Sequence, residues 1–396
     1  MESVHQDPLK LNLLFVGSLI VNTGISFIWP LTTIYLHETL HESLTVAGAV
    51  LFLNSLFTLF GNALGGFLFD RWRPYQTILC GMTIVLIATG LLIFFHGWPS
   101  YPILLLVLGI GNGIVVTTIN AVATFITSKN PSYVFNVLYF TSNLGLVIGS
   151  LMVGFILPLG MRTVFSVAFV WFSFFWLLIC FTYRGLNRLH RQPQKAMSHA
   201  ASGKTGAAQR PVLIILLTMI FFAWIAYEQW NSTISTYLLH LHFSVRAYSF
   251  LWTLNAIVIV VLQPVLTHFD DFLTKHLRGR LSVGFILFAS AFLLLVPAKH
   301  LSQFYLSMGI LTIGEILSFP GVSTFVNDHA PQQDKGRYQG WVQAATSAGR
   351  AVGPLVGAAI VQYSSYPILF LFCSSLVFIG LVFFIGYDRH QKTPHA

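Results

Sequence analysis

Long apolar runs, separated by short charged or turn-rich breaks, follow one another along almost the whole chain. The runs lie near 11–36, 44–69, 75–96, 101–128, 133–157, 161–183, 212–240, 246–268, 281–298, 301–327, 338–363 and 366–387. Each approaches the roughly 20 residues that an α-helix needs to cross a bilayer. Lipid admits only helices or closed barrels, and runs this continuously apolar lack the alternation of barrel strands. The pattern therefore predicts an all-α integral membrane protein with twelve transmembrane helices.

The charged residues are few, and their positions predict an orientation. Asp, Glu, Lys and Arg make up 8% of the 396 residues, whereas a soluble domain carries roughly 25%. If the N-terminus is cytoplasmic, 17 of the 21 Lys and Arg residues fall in inner loops and tails, the exceptions being Arg162, Arg246, Lys299 and Arg350. The positive-inside rule then predicts a multi-pass protein of the cell membrane with both termini in the cytoplasm. Topology and lipid contact account for the basic net charge, so no nucleic-acid partner is predicted.

A polar, basic stretch over 185–210 separates six predicted helices from six. It predicts an N-terminal half at 1–184, a cytoplasmic linker at 185–210, and a C-terminal half with a cytoplasmic tail at 211–396. Short echoes between the fourth and tenth helices, such as "GI" at Gly109 and Gly309, suggest that the halves arose by duplication.

A charged motif follows the second predicted helix, in the stretch "GGFLFDRWRP". Its residues Gly66, Asp70, Arg71 and Arg73, together with the six-plus-six helices and the basic linker, resemble the major facilitator superfamily. The resemblance implies that fold, and it implies a cytoplasmic gate in which Asp70 makes and breaks ion pairs. Trp72 and Pro74 depart from the family pattern. The alternative is that the arginines only mark the inner side while Asp70 caps a helix end.

The eleventh predicted helix carries the glycine-rich stretch "GRAVGPLVG", from Gly349 to Gly357. It resembles the glycine-proline motif of antiporter branches of the superfamily, which favours export. The alternative is close helix packing, because small residues let two backbones approach each other.

Three ionisable residues, Glu228, Glu315 and Arg350, fall inside predicted helices. Such residues are costly in a membrane and indicate function. A carboxylic acid there is neutral when protonated and attracts a cation when ionised, so a proton and a cationic substrate would compete. We therefore expect Glu228 and Glu315 to be the proton-coupling acids. The alternative for Glu315 is a structural pair with Arg350, whereas the sequence offers Glu228 no evident partner.

Polar and aromatic residues share faces with these charges. On the seventh helix Trp224, Glu228 and Asn231 follow one another at steps of four and three, which places them on one side. In the superfamily the first, fourth, seventh and tenth helices line a central cavity. The predicted substrate cavity comprises Asn22, Trp29, Asn112, Asn120, Tyr227, Asn231, Phe319, Gln343 and Arg350.

No metal-ligand spacing of Cys or His and no nucleotide-binding or catalytic motif occurs in the sequence. We therefore expect a protein that is not an enzyme, with no metal or cofactor, driven by a proton gradient. The stretch "GEILSFPGVSTFVNDHAP" resembles the twelve-helix multidrug/proton antiporters. That resemblance implies export of amphipathic or cationic compounds by alternating access. We expect a monomer whose partners are a small-molecule substrate, protons and membrane lipid. The alternatives are proton-coupled transport of a sugar, peptide or polar metabolite, and a transport-dead sensor or lipid-handling protein.

Overall fold

A computed structural model describes residues 9–28, 31–32, 35–187 and 210–392. Its α-helices are α1 Leu11–Ser26, α2 Leu44–Arg71, α3 Pro74–Leu92, α4 Ser100–Ala123, α5 Pro131–Ile156, α6 Met161–Thr182, α7 Arg210–Asn231, α8 Thr233–His240, α9 Val245–His268, α10 Asp270–Lys275, α11 Leu277–Leu295, α12 Leu301–His329, α13 Lys335–Tyr363 and α14 Tyr366–Lys392. Within these ranges, eleven helical spans are long and apolar enough to cross a membrane, and α1 is a shorter apolar helix. The predicted all-α architecture of twelve spans is confirmed.

Two predicted helices differ in detail from their apolar runs. The first helix ends at Ser26, and a short π-helix follows at Tyr35–Thr39. The seventh predicted run contains a break at Ser232 between α7 and α8. The Ser232 hydroxyl donates a hydrogen bond to the Glu228 carbonyl at 2.8 Å, and such back-bonding from serine bends helices. The break thus lies one turn beyond a predicted site residue.

The chain forms two compact units, the first of which also includes the start of α13. One unit comprises Met1–Gly203 and Ala330–Ser347, and the other comprises Lys204–His329 and Ala348–Ala396. We call them unit 1 and unit 2. Most of the predicted linker, residues 188–209, lies outside the described residues, so the boundaries at 184 and 211 stay a prediction.

The helices of each unit pack in the same order. In unit 1, α4 packs on α2 and α3, and α3 packs on α6. In unit 2, α12 packs on α9 and α11, and α11 packs on α14. This repetition agrees with the duplication suggested by the sequence.

Candidate functional site

Glycines on one face of α13 bring it close to α7 in unit 2. A Cβ atom at Gly353 would lie 2.8 Å from Glu228 Cβ and 3.1 Å from the Ile225 carbonyl oxygen. The Gln229 side chain, fully buried, donates to the Gly353 carbonyl at 2.8 Å. Cβ atoms built at Gly349 and Gly357 would lie still closer to Trp224 and Gln229 of α7. The glycine-rich stretch therefore lets α13 approach the acid on α7.

Gly353→Ala should destabilise the protein, whereas Gly309→Ala should not. The added methyl group at 353 would overlap α7, and overpacking of this kind costs about 1–3 kcal/mol. Gly309 has nothing within 4 Å of a built Cβ, so alanine there should stabilise α12 by roughly 0.5–1 kcal/mol. Thermal unfolding in detergent measures both changes. Equal midpoints for the two variants would contradict the close α7–α13 packing.

The close approach places a carboxylate next to a guanidinium. Arg350 Nε lies 3.9 Å from Glu228 Oε1, and Asn231 Nδ2 donates to Glu228 Oε2 at 3.1 Å. Glu228 is buried at 5% exposure. The sequence analysis found no partner for Glu228 and considered Arg350 as a partner of Glu315. In the structure Arg350 pairs with Glu228, because the glycine face of α13 is turned to α7.

The second predicted acid, Glu315 on α12, has neutral polar side chains among its partners. Asn255 on α9 donates to Glu315 Oε2 at 3.1 Å and to Thr312 Oγ1 at 2.9 Å. The Tyr227 side chain also hydrogen-bonds with Glu315. Asn255 and Glu315 are 7% and 3% exposed. The sequence analysis did not single out Asn255, because one amide side chain inside an apolar run is weak evidence for a site.

Aromatic rings surround these charged groups in unit 2. Trp224 stacks on Phe319 with ring centroids 5.2 Å apart, and Tyr227 meets Trp224 edge-on at 4.9 Å. Tyr227 also contacts Trp252 and Phe288. The guanidinium carbon of Arg350 lies 4.1 Å from the Trp224 ring centroid, in cation–π geometry. Tyr227, Phe319 and Arg350, all predicted for the substrate cavity, are thus brought into one cluster.

A buried arginine supports the helix that carries Glu315 and Phe319. Pro320 lies inside α12, and proline removes the hydrogen bond to the carbonyl four residues earlier, that of Ile316. Arg280 on α11 donates from Nη2 to the Ile316 oxygen at 3.4 Å and from Nε to the Leu317 oxygen at 2.8 Å. The sequence analysis assigned Arg280 to an inner loop, but it is 4% exposed. It satisfies carbonyl groups that the proline disturbs.

Arg280→Gln should lower the stability of the protein by roughly 2 kcal/mol, because hydrogen bonds to a charged donor contribute about 1.5–3 kcal/mol. Lys275→Gln, at an exposed position in the same connection, is the matched control. Thermal unfolding should show a lower midpoint for Arg280→Gln than for wild type and an unchanged midpoint for Lys275→Gln. An unchanged midpoint for Arg280→Gln would contradict the role of Arg280 at the proline.

The predicted gate motif lies in unit 1 and makes a different contact from the expected one. Asp70 accepts hydrogen bonds from the backbone N–H groups of Gly336 at 3.0 Å and Arg337 at 2.6 Å. These groups belong to the first turn of α13, where N–H groups lack intrahelical partners and the helix dipole favours a negative charge. Arg71 and Arg73 are exposed, and neither forms an ion pair among the described residues. In this structure Asp70 is therefore a carboxylate cap on a helix N-terminus, and the latch of ion pairs stays a prediction.

Gly66 lets α2 and α13 approach within this unit. A Cβ at Gly66 would lie 2.7 Å from the Gly336 carbonyl oxygen and 3.2 Å from Gly340 Cα. One turn towards the middle of α2, Asn62 donates to Ser347 Oγ at 2.9 Å. Asn62 also accepts from Thr117 at 3.3 Å. Asn62 was not predicted, although the spacing of Gly336 and Gly340 was a visible sign of close packing.

The remaining predicted cavity residues are distributed over unit 1. Asn22 donates to the Ser18 carbonyl at 2.8 Å and to Ser142 Oγ at 3.2 Å, which joins α1 to α5. Asn120 donates to the carbonyl of Val116, on its own helix, at 2.9 Å. Asn112 and Gln343 are partly exposed. Trp29 lies outside the described residues.

Comparison with known proteins identifies relatives over almost the whole chain. A sequence model of the Major Facilitator Superfamily matches residues 14–333 and 278–396. The MFS-type transporter YttB of Bacillus subtilis, itself uncharacterized, is 36% identical over 98% of this chain and 97% of its own. The multidrug resistance protein MdtG of Proteus mirabilis is 24% identical over 97% of each chain. The human organic anion transporter MFSD10 has a similar structure, with a TM-score of 0.76, 16% identity, and coverage of 94% of this chain and 98% of its own.

Proposed function

Because the chain belongs to the major facilitator superfamily, we propose that it is a secondary transporter that couples the movement of an amphipathic small molecule to protons by alternating access. The observation that carries this proposal is the ion pair between Glu228 and Arg350, near the middle of the membrane-spanning helix α13. A buried charge is costly unless it is paired. Adding a proton to Glu228 removes one member of the pair and changes the net charge of the site.

The aromatic cluster supports an amphipathic substrate. Trp224 and Phe319 stack beside the Arg350 guanidinium, so an aromatic body and a charged group would find partners within a few ångströms of each other. Glu315, with Asn255 and Tyr227 beside it, is proposed as the second acid, which senses the substrate or takes up a further proton.

The gate contact supports alternating access. Asp70 caps the N-terminus of α13, and α13 carries Arg350 near its middle. The helix α13 therefore carries both the N-terminus that Asp70 caps and Arg350, the residue that pairs with Glu228. We propose that release of the cap accompanies the change of access, with the capped end on the cytoplasmic side.

A second candidate mode is the exchange of an exported cationic compound for an entering proton. The name of the relative MdtG as a multidrug resistance protein favours it, and so does the aromatic cluster, which can stack on a cation. In either mode we propose a monomer in the cell membrane with both termini in the cytoplasm and the proton gradient as its energy source.

Transport by the purified full chain in liposomes tests the proposal. The probes are three naphthalene derivatives that carry a permanent sulfonate, a permanent trimethylammonium group, or a neutral carboxamide. The membrane potential is clamped with potassium and valinomycin while a pH gradient is imposed. We expect gradient-dependent accumulation of at least one probe, which a protonophore abolishes and protein-free liposomes lack. If no probe responds to the gradient, the proposal is wrong.

The side on which the probe accumulates identifies the coupling mode. Exchange drives the substrate to the acidic side, because protons leave that side as the substrate enters it. Co-transport drives the substrate to the alkaline side, together with the protons.

A further inference from the structure

Arg350 differs from the two acids in its accessibility. Its side chain is 46% exposed, whereas that of Glu228 is 7% exposed, although Arg350 lies near the middle of the 29-residue helix α13. A charge at this depth is stable only beside a polar partner or a water-filled space. The accessible charge of the cluster in unit 2 is therefore positive.

The hydrogen-bonding capacity of Arg350 is also unused. A guanidinium carries five N–H donors in a planar fork. The contact of Arg350 with Glu228 at 3.9 Å is an ion pair beyond hydrogen-bond length, and its contact with Trp224 is with the face of the ring. Within the described ranges Arg350 makes no hydrogen bond. The Trp224 ring covers one face of the Arg350 guanidinium, and the N–H donors of the guanidinium can bind another group.

We propose that Arg350 binds an oxyanion, such as a carboxylate or sulfonate, of an amphipathic aromatic substrate whose ring packs beside Phe319. The proposal rests on the transport function proposed above and names the substrate class. The guanidinium fork matches two oxygens of an oxyanion, and Phe319, which is partly exposed, offers aromatic surface next to Trp224. A cationic substrate would instead face the exposed positive charge of Arg350.

An anionic substrate also fixes the sign of the proton linkage. Ionised Glu228 competes with the substrate anion for Arg350, and protonated Glu228 does not. Among the described residues, the ionisable groups Tyr227 on α7 and Tyr248 on α9 also interact with Glu228, and Tyr227 interacts in turn with Glu315 on α12. Since linkage is reciprocal, proton and anion bind cooperatively. The substrate then moves together with the proton, which is the reverse of the competition expected from the sequence for a cation.

Equilibrium dialysis of the three naphthalene probes against the purified full chain tests this inference. The wild type should bind the sulfonate at least about tenfold more tightly than the trimethylammonium probe, because one charge-assisted hydrogen bond contributes about that factor. It should also bind the sulfonate more tightly in acidic than in alkaline buffer. Arg350→Gln should bind the sulfonate about tenfold more weakly than the wild type does and should bind the carboxamide with unchanged affinity. Glu228→Gln, which mimics the protonated acid, should bind the sulfonate more tightly and without pH dependence. Lys299→Gln, which removes an exposed positive charge of the same unit, should match the wild type.

The order of affinities in the wild type needs no variant, so the inference is testable even if Arg350→Gln does not fold. Tighter binding of the trimethylammonium probe, absence of binding by all three probes, or weaker sulfonate binding by Glu228→Gln would each overturn it. These outcomes are separate from the test of the proposed function. Gradient-driven movement of the cationic or neutral probe without preference for the anion would keep proton-coupled transport and reject the oxyanion site.

Discussion

Replacing Glu228 with glutamine should abolish proton-driven accumulation of the transported probe while its downhill flux continues. With one coupled proton, a gradient of about one pH unit supports roughly tenfold accumulation, since each 1.4 kcal/mol is tenfold. The amide fits the space of the carboxylate and can still bond to Asn231, but it cannot change charge beside Arg350. The steady-state ratio of probe across the liposome membrane should therefore fall to one.

Two comparisons isolate this effect from general damage. Lys299→Gln should accumulate the probe like the wild type. Glu315→Gln, whose partners include Asn255 and Tyr227, should change the apparent affinity and retain gradient-driven accumulation. If Glu228→Gln still accumulates the probe and Glu315→Gln does not, the coupling acid is Glu315 and the assignment to Glu228 is wrong.

Asp70→Asn should lower the rate of transport about tenfold with little change in probe binding. The carboxylate of Asp70 receives two N–H groups from the first turn of α13, and a negative charge at a helix N-terminus contributes about 0.3–2 kcal/mol. Loss of that charge weakens the contact between α2 and α13, which we assign to the gate. Initial rates in liposomes and equilibrium dialysis measure the two quantities separately.

The neighbouring charges distinguish a helix cap from a latch of ion pairs. Arg71→Gln and Arg73→Gln should each transport within about twofold of wild type, because both side chains are exposed and make no ion pair among the described residues. Asp271→Asn, at an exposed acid between α9 and α11, should also be neutral. If either arginine variant loses as much of the transport rate as Asp70→Asn does, the result supports the ion-pair latch instead of the helix cap.

The helices could be predicted from the sequence because hydropathy is a local property. Twelve apolar runs gave twelve helical spans, and most ends agree within a few residues. Two of the differences fall where side chains change the backbone or the register of burial. Ser232 interrupts the seventh run by bonding to the carbonyl of Glu228, and α11 begins at Leu277 because Arg280 is buried against α12 instead of lying in a loop.

The site was predictable only in part. Charges inside apolar runs are rare, so Glu228, Glu315 and Arg350 were visible in the sequence. The pairing of Arg350 with Glu228 was not visible, because it depends on which face of α13 contacts α7. The glycines at 349, 353 and 357 determine that face. Asn62 and Asn255 were missed because a single amide in a helix carries little signal before its partners are known.

Proton uptake on substrate binding tests the central claim most directly. The purified full chain is mixed with the sulfonate probe in weakly buffered solution, and the pH change is recorded for wild type and Glu228→Gln. If the Glu228–Arg350 pair is the proton switch, wild type should take up a proton as the anion displaces Glu228 from Arg350, and Glu228→Gln should bind the probe without taking up a proton. Proton release by the wild type, or equal uptake by both proteins, would contradict the claim.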